Sequence, residues 1–186
     1  MNIRLSQLPD LERLTEVDAT IESLNYLHIE RTGEGLESRW QLIVRPLPSK
    51  LIESNALTTD VQFEIKQLLL GVEDGICIGL EMDGELVAHC AAKIELASGT
   101  LRIVDIRVDY DQRRQGIASA MLFQLISAAR EKELRAVAIR TDTRNHPMNT
   151  LLSKLGFDLA GLDTHLLSNH DLLKESVALF WYMALD

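Results

Sequence analysis

The chain is short of cysteine, of basic residues and of long apolar runs, and each shortage removes a class of function. Its 186 residues include 2 cysteines, Cys77 and Cys90, which lie in the strand-like runs "GICIGLEM" and "ELVAHCAAK". Neither flank offers the polar setting that stabilises a thiolate. Two reduced core thiols are therefore expected rather than a catalytic one. The histidines and cysteines also lack ligand spacing, so no metal site is expected. Lys+Arg number 19 against 28 Asp+Glu, a formal net charge of -9. A field of that sign repels nucleic acid and anionic membrane. No apolar stretch is long enough to span a bilayer, and "MNIRLSQLPD" has no apolar run of the signal-peptide kind. Repeats, linkers and low-complexity segments are missing too. These shortages predict one cytoplasmic domain over residues 1–186, with no nucleic acid and no membrane among its partners.

What is present is patterned. "NIRLSQL" predicts a first strand, and "DLERLTEVDATIESL" predicts a helix from its leucines and valine at helical spacing. "YLHIERTGEGLESRWQLIVRPLPSK" is broken by glycines and prolines, with a strand expected near residues 40–44. "DVQFEIKQLLL" predicts a helix stopped at Gly71. Asp83-Gly84 between two apolar runs is a hairpin turn signal. "TLRIVDIRVD" alternates, which puts Val104, Ile106 and Val108 on one face and Asp105 and Arg107 on the other. A helical stripe follows at Ile117, Met121, Leu125 and Ala128. "RAVAIRTD" reads as a strand covered on both faces. "HPMNTLLSKLGF" is a short helix with Gly156 as its left-handed cap. Two more strands close the chain. The fold class is α/β (α+β).

The chemistry concentrates in "DYDQRRQGIASAML", between a strand and the amino end of a helix. Free backbone N–H groups and the helix dipole make such an end an anion site. Gly116 permits close approach to the backbone, Ala118 keeps the next turn slim, and Arg113 and Arg114 supply charge-assisted donors. A phosphate or pyrophosphate is the expected guest.

"VDIRVDYDQRRQGIASAML" resembles the acetyl-CoA-binding motif of the GNAT superfamily of N-acetyltransferases, and "N…LLSKLGF" resembles that family's later helix. The stretches "GFDLAGLDT" and "SVALFWYMAL" resemble the streptothricin acetyltransferases in particular. The resemblance implies the GNAT fold: a mixed, twisted, seven-stranded sheet splayed between its fourth and fifth strands, with helices on both faces. It implies acetyl-CoA as co-substrate, and transfer of its acetyl group by direct attack of a primary amine on a small molecule or peptide. Backbone groups of Ile106 and Val108 would meet the pantetheine and acetyl group. The amides of Arg113, Arg114, Gln115, Gly116, Ile117 and Ala118 would hold the pyrophosphate, and Asn145 would touch the cofactor arm.

Many family members carry a tyrosine, which protonates the leaving thiolate, where this chain has Leu152. Tyr182 and Tyr110 are the alternative donors. Asp105 and Glu95 are the candidate bases, with His165 and His170 beside them, and an ion pair with Arg107 or Arg140 is the competing use of Asp105. The missing tyrosine keeps open a second reading, an acetyl-CoA-binding module without turnover. The acceptor and the oligomeric state, a homodimer included, are left open.

Overall fold

The computed structural model describes residues 2–185 and has α and β elements in mixed order. Seven strands form one mixed sheet in the order β1-β4-β5-β6-β7-β9-β8, and β2 and β3 form a separate two-stranded sheet. The strands are β1 (Ile3–Leu5), β2 (Ile21–Thr32), β3 (Arg39–Glu53), β4 (Gly75–Met82), β5 (Glu85–Glu95), β6 (Thr100–Val108), β7 (Ala136–Asp142), β8 (Asp158–Asp163) and β9 (Ala178–Ala184). The helices are α1 (Asp10–Arg13), α2 (Thr59–Leu69), α3 (Ile117–Glu131) and α4 (His146–Leu155). No helix of the described residues is long and apolar enough to cross a membrane. The chain divides into two compact units.

The first unit comprises residues 1–20, 54–139 and 182–186. Asp83 and Gly84 both take positive φ, which makes the tight β4–β5 hairpin that Asp-Gly favours. Every residue from Leu86 to Ala92 is buried. Successive side chains of a strand point to opposite faces, so both faces of β5 are covered. One is covered by a core of Leu14, Val17, Ile65, Leu68, Cys77 and Ala91, to which α1 and α2 contribute. The helix α3 packs on β5 and β6 with Met121, Leu122 and Leu125 fully buried.

A bulge in β6 changes the predicted faces. Ala91 pairs with Asp105 and Ala92 with Ile103, which leaves Val104 as the extra residue. Val104 packs against the cluster containing Ala91. It therefore leaves the face expected of it beside Ile106 and Val108, since a bulge aims two successive side chains to one side.

The second unit comprises residues 21–53 and 140–181. One sequence expectation is corrected at the end of residues 1–20 in the first unit, and another in β3 of the second. The predicted helix over "DLERLTEVDATIESL" is only the four residues of α1, and Ile21 already begins β2. Thr15 Oγ1 donates to the Glu12 carbonyl at 2.8 Å, and Asp18 accepts from the Thr20 N–H at 2.9 Å. Such side-chain bonds divert the backbone from a helical ladder. Leu14 and Val17 are buried all the same, which is why the leucine pattern looked helical. β3 is also longer than expected and tolerates Pro46 and Pro48. A two-stranded ribbon has an unpaired side on each strand where a missing N–H costs nothing, and Pro46 pairs with Asn25 beside an irregularity in the register.

Candidate functional site

In the first unit β6 runs parallel to β7 only from Thr100↔Ala136 to Ile103↔Ile139. Residues 104–108 continue without a β7 partner among the described residues. Their other side is paired with β5. The Asp109 N–H donates to the Val87 carbonyl at 2.8 Å. In an antiparallel ladder, bonded and non-bonded pairs alternate. It follows that Ala88↔Val108 and Cys90↔Ile106 are non-bonded pairs, and that the backbone groups of Ile106 and Val108 point away from β5. The Val108 carbonyl accepts from Arg113 Nε at 3.1 Å, as that orientation requires.

Beyond β6 the chain makes a 3-10 turn (Tyr110–Gln112), opened by the Asp109 side chain, which accepts from the Asp111 N–H at 3.1 Å. Arg114 and Gly116 then take φ of 61° and 79°. Gly116 is the N-cap of α3, and being glycine it brings no side-chain acceptor to the first turn. The first N–H groups of a helix have no partner within it, and no described residue accepts from the amides of residues 114–119. A Cβ built on Gly116 would meet nothing within 4 Å. The loop is thus an open row of donors at the positive end of a dipole, adjoining the outward backbone groups of β6.

The two arginines have different tasks. The Arg113 guanidinium donates to the carbonyls of Thr20, Val108 and Asp18 and lies 5.3 Å from the Tyr110 ring. Its side chain fastens the loop to residues 18–20 rather than awaiting a ligand. Arg114 is exposed, with no side-chain partner among the described residues.

Asp105 and Arg107 are nearly buried and form a two-pronged pair at 2.7 and 2.8 Å, the competing use foreseen from the sequence. Arg107 stands opposite His89 on β5. His89 is wholly buried, and neither ring nitrogen has a partner among the described residues. Burial pushes its pKa down to about 4, with the nearby charges of Asp105 and Arg107 acting in opposite directions. Sequence reading missed His89, because one histidine in an apolar run carries no motif. The thiols match expectation: burial raises Cys77 to about 12, and burial likewise raises Cys90. Tyr182 is partly exposed, and its hydroxyl has no partner among the described residues. Glu95 pairs with Arg102 at 2.8 Å. His165 and His170 are exposed.

In the second unit Asn145 is the N-cap of α4, and its side chain accepts from the Met148 N–H at 3.3 Å. Gly156 caps the other end at φ 88°, as predicted. Leu152 is fully buried, so no proton donor stands at that position of α4. Asn149, also buried, accepts from Thr141 Oγ1 at 2.5 Å and from Trp181 Nε1 at 3.2 Å.

The pattern of the family described as acetyltransferase (GNAT) matches residues 40–157. Streptothricin acetyltransferase of Escherichia coli is 31% identical over 113 residues, which cover 59% of this chain and 63% of that protein. Streptothricin acetyltransferase A of Bacillus subtilis (strain 168) is 31% identical over 97 residues, covering 50% and 56%. The chain therefore spans less than two thirds of the length of these curated relatives. Among solved structures, nourseothricin acetyltransferase superposes with a TM-score of 0.80 at 21% identity, over 100% of this chain and 98% of that one. A Bacillus anthracis str. Ames protein, crystallised in complex with acetyl coenzyme A, superposes at 0.78 with 20% identity over 98% of each chain. At these identities the structural likeness is one of fold.

Proposed function

This chain belongs to the acetyltransferase (GNAT) family, and we propose that within it the chain acts as an acetyl-CoA-dependent N-acetyltransferase with a primary amine as acceptor. The observation that carries the reading is continuity. The outward backbone groups of Ile106 and Val108 lead directly into the free amides of the α3 N-terminus. That sequence of donors fits a long ligand with an amide-bearing arm at one end and a pyrophosphate at the other. Bound there, acetyl-CoA supplies an activated acyl group.

The residues' own parts in the reaction follow from their geometry. The amides of Gln115, Gly116, Ile117 and Ala118 and the side chain of Arg114 hold the pyrophosphate. Arg113 contributes its backbone and the anchoring of the loop. Ile106 and Val108 orient the pantetheine, and the outward N–H of Val108 is a fixed donor for a developing oxyanion. Asp105 takes the proton that the incoming ammonium must lose. Both of its oxygens face Arg107, so one must be released for that transfer. Tyr182 returns a proton to the departing thiolate, in place of the missing tyrosine on α4. Asn145 assists at the cofactor arm through its amide N–H2, since its oxygen is committed to Met148.

Streptothricin, named for the curated relatives, is the first acceptor to try. With acetyl-CoA and a panel of amines, including streptothricin and lysine peptides, thiol release is the expected outcome for at least one amine. Equal thermal stabilisation by ATP and acetyl-CoA would overturn the reading. Binding of acetyl-CoA with no thiol release from any amine would favour the second reading, a binding module without turnover. The burial of Leu152 is the observation on that side.

A further inference from the structure

Two polar side chains of the second unit, Tyr26 and His28, converge on the carboxylate of Glu175, and the transfer chemistry above leaves all three unused. Tyr26 Oη donates to Glu175 Oε1 at 2.9 Å, and His28 Nδ1 lies 3.0 Å from the same oxygen. A carboxylate only accepts, so both neighbours are donors. Burial, and then the hydrogen bond to Glu175, hold the Tyr26 phenol above its ordinary pKa against the opposing influence of Arg45, which keeps it a donor. The two rings stand edge to face with centroids 6.1 Å apart. They make an aromatic wall beside the carboxylate.

Glu175 is also held in an unusual backbone state. Its φ is 54°, in the left-handed region that a residue with a Cβ enters only against strain. Surrounding bonds maintain it. The Glu175 carbonyl accepts from Thr143 Oγ1 at 2.7 Å, and its N–H donates to the Leu172 carbonyl at 3.3 Å. The Thr143 carbonyl in turn accepts from the Leu27 N–H at 3.0 Å, between Tyr26 and His28 on β2.

The one ion-pair partner of this carboxylate among the described residues is a histidine, His28. Two other acids of the unit have arginine partners: Glu30 pairs with Arg45 at 2.6 Å and Glu53 with Arg144 at 3.4 Å. No lysine or arginine among the described residues pairs with Glu175, and its second oxygen has no partner among them. A fixed, partly exposed carboxylate with one free oxygen and an aromatic flank suits a compact cation. A single free oxygen suits an ammonium better than the two-pronged fork of a guanidinium.

We propose that Glu175, oriented by Tyr26 and His28, is the site that binds a primary ammonium group of the acceptor. The proposal rests on the acetyltransferase reading for the word acceptor, but not for the site itself. Calorimetric titration of the native chain with streptothricin and with a lysine-containing peptide tests it. At least one of these amines binds the native chain, and Glu175→Gln weakens that binding by about tenfold or more, as expected for loss of a charge-assisted contact. Acetyl-CoA affinity stays unchanged. Glu175→Asp, which keeps the charge but withdraws it, weakens amine binding in the same way and serves if the glutamine variant fails to fold. Equal amine affinity in native and variant chains overturns the site, and so does a native chain that binds none of these amines. Glu175-dependent binding without thiol release would sink the transfer reading and leave the site standing. Thiol release with the same amine KM in native and Glu175→Gln chains would do the reverse.

Discussion

The amino ends of α3 and α4 are built on opposite plans. α4 closes itself: Asn145 accepts from its own first turn, and Pro147 removes a donor that would otherwise lack a partner. α3 begins at a glycine without a side chain to offer, itself left-handed and two residues after the left-handed Arg114, and leaves its first amides without a partner among the described residues. Both ends follow a strand and precede an apolar stripe, so overall pattern does not separate them. One residue type at the N-cap does. A helix end keeps its first amides free when the chain withholds the cap it could have supplied.

That contrast can be broken at either end. The largest effect is expected for Gly116→Val. A β-branched residue held at φ 79° costs about 1–2 kcal/mol, and relaxing that strain would turn the amides away from the anion. No neighbour lies within 4 Å of the new Cβ, so the effect is one of backbone conformation. Acetyl-CoA affinity by calorimetry should fall about tenfold or more, and an unchanged affinity would remove the distinction between the two ends. Next comes Arg113→Ala. It frees the carbonyls of Thr20, Val108 and Asp18 and should lower stability by about 1–2 kcal/mol, as charge-assisted bonds do. Urea unfolding should show the loss, with the weakened loop binding acetyl-CoA less well.

Asn145→Ala should behave in the opposite sense to Gly116→Val. Loss of a cap costs about 1 kcal/mol, which lowers Tm by roughly 2–4 °C in a chain of this size, while acetyl-CoA affinity changes about twofold at most because the remaining amide contact is exposed to water. Should calorimetry find a larger loss of affinity than scanning finds of stability, α4 would be a ligand site after all. The smallest change belongs to Arg114→Ala. An exposed charge contributes about 1 kcal/mol or less, and salt screens it. Affinity should drop a few-fold at low salt, and the difference from native should shrink as salt is added.

The carboxyl half was legible in the sequence because its signals are local. Asp83-Gly84 can hardly be anything but a tight turn, and Gly156 ends a stripe that is visible within ten residues. Gly116 marked the left-handed start of α3 in the same way. The amino half was not legible, because Leu14 and Val17 reach the core from a turn and imitate a helix, while the partner of β2 is set by pairing with β3. Arg113 and Arg114 could not be told apart from sequence. Two of the three carbonyls that hold Arg113 belong to residues 93 and 95 positions away. Tyr26, His28 and Glu175 were missed for the same reason, with nearly the whole chain between them.

The solitary imidazole of β5 has a thermodynamic consequence for the folded chain. His89 is neutral in the native state down to about pH 4 but takes a proton near its ordinary value of 6.5 once unfolded. Between those values the unfolded chain binds more protons than the native one, so acid draws the equilibrium toward unfolding. The contribution of His89 to stability is thus complete above about pH 6.5 and erodes as the pH falls toward 4, the range over which the unfolded histidine charges. A stability profile that stayed flat across that interval would mean that the ring finds a proton acceptor. That part of the acid sensitivity is thus written into a side chain outside the α3 loop.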